Sequence, residues 1–334
     1  MTTPYAGSNI TGSSGLIAVD KVGNHIRFYD PESLREIKSF PAPEPAAHEL
    51  AIAHDRRLAF VPLYGDGIYG NNKRPNNKIL VIDLVAQSLV DIIPLGAVWA
   101  PHGMVAASDG KLWVVADVAN KLLVVDPPTR SIEAAWDCPS RGAHQMALLP
   151  DESKVYVSCK EGDIAVFHRA SQAWTASISV RAPGVETGNG SGSEGLMPTA
   201  DGRRLVVIDN AANDLRVIDT ATDTEVDHAP LAHCPPSNPK RSRLAKLMFS
   251  PDGRHLVVTA YAGGLAWIVD AGDLRRQAIV PVAKGPQGMA FPPDGRSVVV
   301  ASHDSGLLTR IDLASKQAVA ACDGGSGIEV LAYY

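Results

Sequence analysis

The chain has 334 residues, 45% apolar and 20% charged, with a formal net charge of −5. That composition belongs to a globular protein with a large core, not to a disordered chain, and it lacks the positive excess of a nucleic-acid-binding surface. No run approaches the ~18 consecutive apolar residues of a membrane helix, and residues 1–14 lack the basic start and apolar segment of a secretory leader.

Four cysteines (Cys138, Cys159, Cys234 and Cys322) are scattered without C-x-x-C spacing. Reduced buried thiols are therefore expected, and zinc held through sulfur is not. The cytoplasm is the expected compartment. The basic cluster Lys240-Arg241-Ser242-Arg243 is short and reads as a solvated loop.

In chain order, a first apolar strand is predicted near Leu16 to Asp20, and a second ends at Asp30. From there a short pattern recurs seven times. Its first residues are His48, His102, His144, Glu194, Ala245, Gln287 and Glu329. In six copies an aspartate follows at +7: Asp55, Asp109, Asp151, Asp201, Asp252 and Asp294.

The copy starting at His102 shows the whole unit. Residues 102–108 form a short apolar strand, and Ser108-Asp109-Gly110 is turn chemistry. A β-rich run follows over 111–116, then a loop, a third strand over 121–126, and a fourth near 131–136. No 3.6-residue period occurs in the unit.

A second marker has the same count. The third strand ends in aspartate at Asp30, Asp83, Asp126, Asp219, Asp270 and Asp312, with His168 in the remaining copy, at spacings of 42 to 53 residues. Four strands in ~40–45 residues is the period of a propeller blade. The spacing thus predicts an all-β, seven-bladed propeller in a single domain over residues 1–334. Blade 1 takes 15–45 plus 327–334, blade 2 takes 46–98 and blade 3 takes 99–140. Blade 4 takes 141–183, blade 5 takes 184–236, blade 6 takes 237–284 and blade 7 takes 285–326. The strand from Glu329 to Tyr334 is expected to pair with the N-terminal blade and close the ring, removing an open sheet edge.

The turns Ser250-Pro-Asp-Gly-Arg254 and Pro293-Asp-Gly-Arg296, each followed by apolar strands and Ile-Asp or Val-Asp, resemble those of YVTN-type propellers. These are similar in turn to the lactonase-like, cytochrome-d1-like propeller group. The resemblance covers nearly the whole chain and implies the fold. It carries over no catalytic motif residue by residue.

A radial repeat brings its first-strand residues to a common axis, so the ring of slots reads His, His, His, Glu, Ala, Gln, Glu. His48, His102, His144 and Glu194 are the ligand types of a divalent metal such as Fe, Mn, Ni or Zn. Such a site would lower the pKa of bound water or polarise a carbonyl. Glu329, or Glu49 beside the first histidine, is a candidate base. Lys246, if it reaches the channel, could neutralise a carboxylate or an oxyanion.

Gln287, Tyr64, Tyr69, Arg243, Tyr261 and His303 fall on the same expected face, the three tyrosines on its loops, and are candidate substrate contacts. The expectation is a small-molecule enzyme without nucleic-acid or membrane partners. A metal-dependent lactonase-type hydrolase comes first; a lyase or isomerase acting on a metal-bound carbonyl compound is the alternative. A non-enzymatic YVTN-type binding or scaffold propeller is the competing class.

Overall fold

A computed structural model describes residues 15–45, 47–180, 193–233 and 244–334. Their regular structure consists of strands, grouped into seven four-stranded antiparallel sheets. No helix among the described residues is long and apolar enough to cross a membrane. The innermost strands are Ala51–Ile52, Pro101–Ala106, Ala143–Leu148, Ser193–Pro198, Leu244–Phe249, Pro286–Ala290 and Ile328–Tyr333. They contact one another around a central axis. The last of them pairs with Leu16–Asp20, so the ring closes without a covalent join.

Both aspartate markers find their reason in the turns. Each +7 aspartate accepts a backbone N–H two residues on, at 3.0 Å, from Arg57, Lys111, Ser153, Arg203, Arg254 and Arg296 in turn. This Asx turn reverses the chain between the first and second strands. The aspartates ending the third strand do the same for the next turn, as Asp30 does with Ser33 and Asp219 with Ala221 and Thr222.

The core lies between blades. Side chains alternate along each strand, so Leu16 and Ala18 join a cluster with blade 7, while Ile17 and Val19 join one with blade 2. Among the described residues seven such clusters occur, one at each blade interface. Inner strands therefore read as continuous apolar runs, whereas outer ones such as Ser131–Asp137 alternate between half-buried and exposed.

At the slot the ladder slips. The register between first and second strands shifts around His102, His144, Glu194, Ala245 and Gln287. A bulge re-aims side chains, and here it serves two layers: the slot residue goes to one, the next residue to another. In blades 3 and 7 that next residue is glycine because the neighbouring inner strand runs against it. A Cβ at Gly103 would lie 2.8 Å from the His144 carbonyl oxygen, and one at Gly288 2.8 Å from that of Glu329. Gly103→Ala is expected to cost about 1–3 kcal/mol in a urea titration, through a clash with backbone that has nowhere to move. A change under 0.5 kcal/mol would mean that the strands separate freely.

Candidate active site

The slot layer gathers a buried aromatic and acidic cluster. The His48 and His102 rings meet edge-on at 4.4 Å, and His144 packs over His102 at 3.7 Å. Tyr64 stacks on His48 at 4.9 Å and meets His102 edge-on at 5.1 Å. Sequence spacing puts Tyr64 in a loop, yet it lies in the strand Leu58–Gly65 and is fully buried. It is a wall behind the histidines.

His102 has a fixed tautomer. Its Nδ1 lies 2.9 Å from the His144 carbonyl oxygen. A carbonyl only accepts, so Nδ1 carries the proton and Nε2 keeps its lone pair. That Nε2 is buried without a hydrogen-bond partner, as is Nδ1 of His48. Burial above all, then neighbouring cationic groups, holds both imidazoles well below their ordinary pKa. They are neutral at physiological pH, the form that binds metals. His48, Glu49 and His102 each offer one ligand atom, all within 4.8 Å of one another. His144 lies beside this group, with its ring against His102. Glu194 lies in the strand Ser193–Pro198, but its side chain falls outside the described residues, as does the whole of Arg243.

Glu329 is buried on the other side of His48. Its Oε1 lies 3.8 Å from His48 Nδ1 and accepts from Gln287 Nε2 at 3.3 Å. Its Oε2 lies 3.5 Å from His303 Nε2. His303 Nδ1 is 3.3 Å from Asp304, which also accepts from the Tyr261 hydroxyl. Glu329, Gln287, His303 and Tyr261 thus form one chain of contacts leading outward from the axis.

The residues after the slots make the second layer. Lys246 reaches across the channel and donates to both oxygens of Glu49, at 2.7 and 2.6 Å, while Gln145 donates to Oε1 at 2.9 Å. Read round the ring, this layer is Glu49, Gly103, Gln145, Gly195, Lys246, Gly288 and Val330. Long polar side chains alternate with glycines, and the three long ones meet on the axis. They form a floor beneath the histidines.

The roof comes from residues 66–74, between the strands Leu58–Gly65 and Pro75–Asp83. Tyr69 spans to blade 4, where its hydroxyl donates to Glu161 at 2.6 Å and its ring lies 6.5 Å from that of His144. Most of the long connections at 182–193 and 231–244 fall outside the described residues.

Two participants are not singled out by sequence pattern. Asp117 is buried, accepts from the Tyr64 hydroxyl at 2.6 Å, and lies 3.6 Å from His144 Nδ1. Burial and this carboxylate raise the Tyr64 pKa, so its hydroxyl remains a donor. Aspartates also end the second strands of blades 1 and 5, but there they cap turns: Asp20 accepts from Gly23 N–H and Asp209 from Ala211 N–H. Only contact with the histidines sets Asp117 apart. Gln145 is the other, hidden one position past its slot.

A family model described as "Lactonase, 7-bladed beta-propeller" matches residues 137–319. No curated protein matches the chain. Among solved structures, Kuenenia stuttgartiensis hydrazine synthase is similar with a TM-score of 0.69 at 17% identity, over 87% of this chain and 90% of that one. A functionally unknown protein from Desulfotomaculum acetoxidans gives 0.75 at 13% identity, over 96% and 99%. At these identities the likeness is one of fold.

Proposed function

The chain belongs to the seven-bladed β-propeller lactonase family, and from that premise we propose that it is a metal-dependent hydrolase of small lactones, working at the axial cluster. The observation that carries this reading is the pair of buried imidazoles, with His102 Nε2 and His48 Nδ1 free of hydrogen bonds, grouped with the Glu49 carboxylate. Donation of the other ring N–H to a backbone carbonyl, as His102 does, is the usual way a metal-ligating histidine is oriented.

In this reading His48, His102 and Glu49 would hold a divalent ion, with Fe, Mn, Ni and Zn all compatible with two imidazoles and a carboxylate. The ion would supply Lewis acidity toward the lactone carbonyl and a lowered pKa for bound water. Lys246, which here engages both Glu49 oxygens, would have to release one of them to such an ion. Glu329, which accepts from Gln287 and lies next to His48, would take the proton. His144, packed against His102, and Glu194 remain candidate further ligands. Tyr69, Tyr261 and His303 are substrate contacts at the mouth, with Arg243 as a further candidate. A cytoplasmic location suits the free thiols of Cys138, Cys159 and Cys322.

One observation favours a second reading. Lys246 already engages both Glu49 oxygens, so the same ring without metal would be a ligand-binding propeller. Elemental analysis of untagged wild type and His48→Ala/His102→Ala separates the two, run beside a pH-stat assay on γ- and δ-lactones. Near one equivalent of metal in wild type, lost in the variant with at least a 100-fold fall in hydrolysis, supports the enzyme; even outer-shell changes cost ~10–100-fold in metal affinity or activity. Negligible metal after each ion has been offered sinks it.

A further inference from the structure

The interface between blades 3 and 4 holds a chemistry that the axial site does not use. Cys138 follows the outer strand Ser131–Asp137 of blade 3, and Cys159 ends the strand Lys154–Cys159 of blade 4. Their sulfurs lie 3.8 Å apart. Both are buried, with Cys159 fully enclosed and Cys138 6% exposed, in one cluster with Val157, Ala143 and Phe167. We propose that Cys138 and Cys159 are an oxidation site, at which hydrogen peroxide converts the thiol pair into a disulfide joining blades 3 and 4.

The two thiols differ in the way the reaction needs. Hydrogen bonding from Cys159 pulls the Cys138 thiol pKa down, and the same contact, with burial, pushes that of Cys159 up. Cys138, the more exposed of the two, is the thiol that peroxide reaches and the attacking thiolate. Its sulfur attacks one peroxide oxygen; the O–O bond breaks, and the departing hydroxide takes up a proton as water. The sulfur is oxidised to a sulfenic acid and the peroxide reduced. The Cys159 sulfur then attacks that of Cys138, the S–O bond breaks, and the hydroxyl leaves with the Cys159 proton as a second water. Two thiols and one peroxide become one disulfide and two waters. The sulfurs must close from 3.8 Å to ~2.05 Å.

The staple would sit beneath the wall of the site. Cys159 pairs in the ladder with Ala143, the residue before His144. Lys160 N–H donates to the Gly142 carbonyl, and Gly142 lies against the Tyr69 ring. The Cys138 carbonyl accepts from Asn120 Nδ2 at 3.0 Å, which ties this corner back to blade 3.

The test treats full-length wild type with hydrogen peroxide under native conditions, then denatures it, blocks free thiols with N-ethylmaleimide and maps peptides without reduction. Expected are a peptide pair linked through Cys138 and Cys159, loss of two of the four blockable thiols, and reversal by dithiothreitol. Because the link closes a loop of about 20 residues, the melting temperature should rise by several degrees. Cys234→Ser/Cys322→Ser should behave alike, losing both remaining thiols. Four blockable thiols after peroxide, a link through other cysteines, or Cys138 sulfinic acid without a link would each overturn the proposal.

Discussion

Removal of residues 327–334 is expected to leave no cooperatively folded protein. Ile328, Leu331, Tyr333 and Tyr334 are buried, and at ~1.5–3 kcal/mol for each such side chain their loss approaches the ~5–15 kcal/mol that holds a typical domain together. The loss reaches beyond those contacts. Strand Leu16–Asp20 becomes an open sheet edge, a template for pairing between molecules. Buried Asp20 loses Gly327 N–H, a partner at 2.9 Å. Circular dichroism melts and light scattering of the truncated chain read this directly. A cooperative melt within 5 °C of wild type would show that the ring does not depend on its closing strand.

The second large effect is expected at the channel floor. Lys246→Met strands the buried Glu49 carboxylate with Gln145 as its remaining partner. Breaking a buried pair by removing one member costs ~3–5 kcal/mol; Lys246 retains 21% side-chain exposure, so about 2–4 kcal/mol is expected here. Glu49→Leu/Lys246→Met removes both charges and should fall within about 1 kcal/mol of wild type. Urea unfolding of the two single variants and the double variant closes the cycle. A single-variant cost below 0.5 kcal/mol would mean that water reaches the pair. Under the proposed metal reading, metal content adds a readout that a purely structural pair would not move: Glu49→Gln should lower bound metal, whereas Lys246→Met should keep it.

The blade count and ring closure were legible because two sets of aspartates, with separate tasks in separate turns, repeat in step. The axial histidines were legible for a related reason: a radial repeat turns equal register into equal position. What register does not convey is how a bulge divides neighbouring side chains. Lys246, one residue beyond its slot, could be read as facing either channel or blade interface; the slip between Leu244 and Leu247 sends it to the axis. Tyr64 looked like loop because Gly65 opens a glycine- and asparagine-rich stretch, yet the strand runs on through it. Asp117 carries no mark in the sequence, since its distinction lies in contacts with blades 2 and 4.

The alternation of long polar residues and glycines in the floor has a consequence of parity. Strict alternation can close on itself only around an even number of positions, and seven is odd. One step must break the rule, and it falls at Val330, where a branched apolar side chain stands between Gly288 and Glu49. The defect cannot be removed by choosing better residues, only moved to another blade. It gives an otherwise repetitive ring a direction: Glu49 has glycine on one flank and valine on the other. Adding or deleting one blade would satisfy the alternation and, in doing so, erase the asymmetry that distinguishes one side of the axis from the rest.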